Sequence, residues 1–254
     1  MGIQGNGQSV LYLYINPIIR LILPARNDNF PFRKMQKVLH IAAHVLSYVL
    51  NPVMAPTLLF FLILFRYTNY TSDFMAWIRW SVMFYIFLFT FILPLIILLV
   101  LFKLKIISGV SLNVQKDRNV PQIILCFIYS CITIYLIMEL GFRDGLTLAM
   151  MGSLTTLCCI TIVNRYWKIS THASGLSGVL GIFTYMFIHN PHWRENLPLY
   201  LCGLGITLTV CAARLYLKVH SRLQVIAGFA LGFISGFLIF LMFSAIKFAE
   251  VSNL

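Results

Sequence analysis

A chain of 254 residues that is 60% hydrophobic and only 10% charged, with a mean hydropathy of +0.88, has more apolar surface than a soluble domain of that length can bury. Its formal charge of +12 does not mark a nucleic-acid binder, because the basic residues are spread over short segments between apolar runs; orientation in the bilayer and contact with anionic membrane lipids account for them. The expected fold is an all-α membrane protein, a polytopic helical bundle of about six or seven transmembrane helices, since apolar runs of about 18 to 25 residues fit spanning helices and none alternates like a barrel strand.

Residues 10–23 are apolar but carry Asn16, Pro17 and Arg20 and are too short to cross unaided. They lack the basic start and small-residue cleavage site of a secretory signal, so an interfacial helix within an N-terminal segment 1–37 is expected. A first span near 39–65 and its loop occupy 38–80; Asn51-Pro52 and Pro56 interrupt that span and predict a kink. His40 and His44, four apart, have the spacing of a metal pair, with no Asp, Glu or Cys to join them. A transmembrane core then covers 81–247, with spans near 82–102, 122–140, 146–163, 173–188, 198–216 and 224–246, before a tail at 248–254. Cys126, Cys131, Cys158, Cys159, Cys202 and Cys211 all fall inside spans without metal-type spacing and read as packing residues. Gly228, Gly232 and Gly236 form a strip along the last span, and Gly175, Gly178 and Gly181 do so in the fifth. Such strips let helices approach closely within a bundle, with a homo-oligomer contact as the second use.

Fourteen of the nineteen Lys and Arg lie with the N-terminus and the second, fourth and sixth loops, which the positive-inside rule places in the cytoplasm. Those same three loops carry the residues with chemistry. The second has Lys116-Asp117-Arg118-Asn119-Val120-Pro121, the fourth Lys168-Ile169-Ser170-Thr171-His172, and the sixth runs from Arg214 through His220 to Gln224. A single site can be assembled only from loops on one face, and these three share one. Arginine offers a fixed fork of donors to phosphate oxygens, and neutral histidine is a nucleophile or base near neutral pH, so the pairing predicts phosphate chemistry at a lipid surface. Glu139, Asp144, His189 and His192 fall at the opposite face.

The sixth-loop segment resembles the third motif of the type 2 phosphatidic acid phosphatase superfamily: Ser-Arg, five residues, His, three residues, Asp. Arg214, the gap and His220 match, while Ala213 stands for the Ser and Gln224 for the Asp. Ile169-Ser170-Thr171-His172 resembles the second motif, Pro-Ser-Gly-His, at Ser170 and His172; Lys116, Arg118 and Pro121 hold the residue types of the first motif at other spacings. The resemblance covers roughly residues 80–245 and implies a phosphatase-like transmembrane core.

It also implies roles. His220 attacks phosphorus and forms a phosphohistidine; His172 protonates the leaving alkoxide and then activates water. Arg118, Arg214, the Ser170 hydroxyl and the amides near it neutralise the phosphoryl oxygens, with Lys116 in support. Gln224 can accept the imidazole N–H but cannot stabilise its positive charge as an Asp would. No metal or other cofactor is implied, and the motif face carries only Asp28 and Asp117 as acids. The expected function is a metal-independent membrane lipid phosphatase acting on a phosphomonoester or pyrophosphate of a lipid, in a bacterial cytoplasmic (inner) membrane. The alternative is a phosphatase-like protein that binds phospholipid or serves in transport or assembly.

Overall fold

The computed structural model describes residues 31–252 except 72, 111 and 113, with side chains described between 35 and 242. The interfacial helix expected at 10–23 lies outside the described residues. The chain divides into a unit Met1–Leu39 and a unit His40–Leu254, and everything bearing on function falls in the second.

The first span is two helices rather than one kinked one: α1 (Pro31–Val49) and α2 (Ala55–Phe65), separated by a 3-10 turn at Pro52–Met54. Asn51 starts that turn by accepting the Val53 N–H at 3.1 Å, and Pro52 and Pro56 have no N–H with which to continue a helical ladder. The second span joins α3 (Ala76–Phe87) to α4 (Leu93–Lys103) through a π turn at Leu88–Ile92. Pro94 follows directly, and the disturbance is absorbed by Thr90, whose hydroxyl donates to the Ile86 carbonyl at 2.7 Å and lies 2.9 Å from the Thr57 hydroxyl on α2.

A 3-10 turn at Lys116–Arg118 leads into α5 (Asn119–Leu140), with Pro121 tolerated in its first turn. Asp144 caps α6 (Gly145–Tyr166) by accepting the Leu146 N–H at 2.8 Å. Next come α7 (Thr171–Ile188), α8 (Trp193–Tyr216) and α9 (Arg222–Ser252), the last running as helix into the expected tail. Among the described residues six stretches are long and apolar enough to cross a bilayer. α7, diluted by serine, threonine and glycine, falls outside that set, yet it crosses: α6 and α8 both end at the motif face, so only α7 can carry the chain back to the start of α8. The spanning helices thus follow the expected order.

Burial is arranged for lipid rather than water. Large apolar side chains such as Trp77, Phe84, Phe127, Met138 and Ile234 are exposed, while Thr90, Thr147, Ser170, Ser174 and Ser177 are completely buried. With acyl chains outside, helices gain nothing by hiding leucine and associate through small and hydroxyl residues. Larger apolar groups, including Phe60, Ile63, Tyr67, Phe183, Met186 and Phe240, pack together away from the motif face.

α7 and α9 form the closest pair and run parallel. An added Cβ at Gly228 would lie 2.7 Å from the Ser170 carbonyl oxygen, and at Gly232 and Gly236 it would run into the Ser174 and Gly178 carbonyls. The contact repeats every four residues on both helices, so a side chain on this strip of α9 would force them apart. Gly175 does not join this contact and packs against Pro52. At the motif end the same approach lets the Ser170 N–H donate to the Gln224 carbonyl at 3.1 Å, which ties the fourth loop to the sixth.

Candidate active site

Arg118 ends the turn before α5 and is 3% exposed. Its Nε donates to the Leu112 carbonyl at 2.8 Å, and its Nη1 to the Ile169 carbonyl at 2.8 Å and to Asn164 Oδ1 at 3.3 Å. Arg118 therefore clamps the second loop to the fourth, and its Nη2 group is not used in these bonds. Asn164 Oδ1 also takes the Ile169 N–H at 3.2 Å. Arg214, in the last turn of α8, is 8% exposed, and its buried Nε has no hydrogen-bond partner. Among the described residues neither arginine forms an ion pair with a carboxylate. Asp117, the acid nearest in sequence, is turned onto the Ser108 N–H at 2.9 Å and the Ser108 hydroxyl. A buried guanidinium without a counter-charge is costly, and two beside one another make a place for an anion.

His220 lies between these charges, 7% exposed. Burial first, then the positive charges of Arg118 and Arg214, hold its imidazole down at about 4, with the hydrogen bond to Gln224 acting the other way. The ring is neutral near pH 7. Its Nδ1 is 3.3 Å from Gln224 Oε1. That oxygen also accepts the Ser221 N–H at 3.0 Å, while the Gln224 N–H points to the Ser221 hydroxyl at 3.4 Å. Ser221 and Gln224 are thus the N-cap and third residue of α9 in a reciprocal capping box. The box fixes the amide with its oxygen toward His220, so Nδ1 carries the proton and Nε2 keeps its lone pair.

His172, in the first turn of α7, has the complementary arrangement. Nε2–H donates to the Ser47 carbonyl at 3.1 Å, which leaves the buried Nδ1 as a lone pair without a partner. Ser170 is wholly buried, and its hydroxyl accepts the Ala173 N–H at 3.4 Å as the cap of α7. That bond uses a lone pair and leaves the hydroxyl proton to donate, and the first-turn N–H groups of Thr171 and His172 are further donors with no intrahelical acceptor. Lys116 is exposed. The lysine whose charge bears on His220 is Lys168, itself pushed down by burial and by Arg118 and Arg214.

Compared with known protein families, residues 125–248 match the PAP2 superfamily. Over that stretch the chain belongs to the PAP2 superfamily. Membership carries a phosphatase-type function in general terms, on an integral, multi-pass membrane scaffold. No curated protein and no solved structure gives a significant match. The PAP2 match takes in His172, Arg214, His220 and Gln224, and begins after Arg118.

Three contributors were not singled out from the sequence. Ser47 acts through a backbone carbonyl 125 positions from His172, for which no residue pattern exists. Asn164 is an ordinary polar residue near a helix end. The capping box was legible, because Ser221-Arg222-Leu223-Gln224 has the Ser-x-x-Gln pattern that opens helices.

Proposed function

We propose that the chain is a lipid phosphatase that hydrolyses a phosphomonoester or pyrophosphate of a membrane lipid through a phosphohistidine on His220, without a metal. The observation that carries this reading is a neutral histidine, its Nδ1 proton held by Gln224, set between two buried arginines that have no carboxylate partner.

Arg214 and Arg118, with Lys168 and the first-turn amides of α7, draw the phosphoryl oxygens into the pocket and offset the charge that builds on them. His220 Nε2 attacks phosphorus, and the P–O bond to the lipid breaks as the N–P bond forms. His172 Nδ1, once protonated, gives its proton to the departing alkoxide; its restored lone pair then takes a proton from the water that attacks the phosphohistidine and returns His220 to its neutral form. Gln224 keeps the nucleophile in the right tautomer but supplies no negative charge for the cationic intermediate, so turnover is slower than with a carboxylate there.

Phosphate release by the detergent-solubilised protein over a panel of lipid monophosphates and pyrophosphates tests the reading. Release is expected from the wild type, with a loss of at least about a thousandfold in His220→Ala and His172→Ala, as for removal of a nucleophile or its proton-transfer partner. Background release from the wild type across the whole panel overturns it and leaves phospholipid binding without turnover.

A further inference from the structure

An apolar cleft with a cavity volume of about 110 Å³ opens beside the site and runs down the inside of the bundle. Its upper end is at Thr171, next to His172, and its lower end at Ile182, eleven residues and about 16 Å further along α7 at 1.5 Å per residue. Pro52, Leu125, Thr156 and Val179 line it between.

One polar group has no evident structural use in this wall. Gln122 lines the cleft, is 5% exposed, and its buried Oε1 has no hydrogen-bond partner. Gln122 lies four residues after Arg118, so it shares a helix face with the phosphate clamp, one turn deeper. A buried acceptor with nothing to accept from is costly, and native proteins seldom keep one without a purpose.

We propose that Gln122 is a specificity residue that accepts a hydrogen bond from a hydroxyl or amide N–H on the segment joining the substrate's phosphate to its chain. With the phosphoryl group at Arg118 and Arg214 and the hydrocarbon in the cleft, that joining segment passes the level of Gln122. The preferred substrate class is then a lipid phosphate with a free donor one or two carbons from the phosphate ester. Diacylated or prenyl phosphates, which lack such a donor, leave Oε1 unpaired. This rests on the reading of the site given above.

The test compares 1-oleoylglycerol 3-phosphate with 3-oleoyloxypropyl phosphate, which differ only in the hydroxyl at C2. Affinity for both is measured on His220→Ala protein with and without Gln122→Met, and phosphate release is measured on the protein with His220 intact. With Gln122 present the hydroxyl-bearing lipid is expected to bind at least about tenfold more tightly, because a site built to pair a hydroxyl discriminates against its absence. Gln122→Met is expected to abolish that preference while holding affinity for the deoxy lipid within about threefold. Equal affinities with Gln122 present, a preference that survives Gln122→Met, or equal loss of both lipids each overturns the proposal. Absence of phosphate release from both lipids would count against the phosphatase reading, while the affinity ratio still decides the role of Gln122.

Discussion

Gln224 holds two positions at once. It closes the capping box of α9 through the Ser221 N–H and accepts the Nδ1 proton of His220 on the same oxygen. A substitution that looks like the loss of a carboxylate thus keeps the carboxylate's orienting role and gives up only its charge. Gln224→Leu removes both bonds and is expected to lower kcat/KM by about a hundredfold or more, the scale of losing one oriented hydrogen bond in an active site. Gln224→Glu keeps the reach of the box and restores the charge, so its rate is expected to exceed that of the wild type. A negative charge favours imidazolium, so in the Glu variant the His220 midpoint rises from about 4. The histidine NMR titration of both proteins reads that shift, and an unchanged midpoint would show that residue 224 does not face the ring.

At this scale the sequence was legible where chemistry needs a particular side chain. Arg214, His220, His172 and Arg118 converge as their types and loops suggested. Lys116 and Lys168 could not be ranked from sequence, since both are loop lysines on the motif face and only folding decides which charge reaches His220. Gln122 drew no notice at the start of a long apolar run.

Helix packing holds the site together. The α7–α9 contact works because glycine at 228, 232 and 236 lets serine and glycine carbonyls of α7 touch the α9 backbone. Gly232→Ala is expected to destabilise the protein by about 1 to 3 kcal/mol, the cost of overpacking a close contact. It should also lower activity by moving the His172 loop away from the His220 loop. Gly205→Ala is the control: nothing lies within 4 Å of its added Cβ, so thermal unfolding in detergent should move little or upward. Equal effects of the two would mean that the glycine strip does not set the helix spacing. The α9 strip was visible in the sequence because three glycines four apart have few other uses in a membrane helix. The break at Asn51-Pro52 was visible only as an interruption. Its outcome, two helices with a cleft wall between them, depends on what Pro52 packs against, and that is Gly175.

For the whole molecule, hydropathy predicted an all-α bundle of about six or seven spans, because the bilayer imposes one length on them all, and among the described residues six helices meet that length and hydropathy. It ranked α7 lowest, since the helix most shielded by its neighbours has least need of apolar side chains. If the basic surplus reflects orientation, the motif face is cytoplasmic, and a membrane-impermeant maleimide is expected to label Arg222→Cys only after cells are permeabilised. Labelling in intact cells would put the site on the outer face and make the surplus a feature of phosphate binding rather than of orientation.

In the proposed reaction His220 is the nucleophile although a neutral amide stands behind it. The most direct measurement is acid-free quenching of a single turnover by the His172→Ala protein, in which attack on a lipid pyrophosphate remains possible while hydrolysis of the intermediate is slowed, followed by mass spectrometry of the peptide containing His220. A phosphoryl group is expected on His220, absent when His220→Ala is added. A phosphoryl group on another residue, or turnover by the wild type with none trapped on His220, would contradict it.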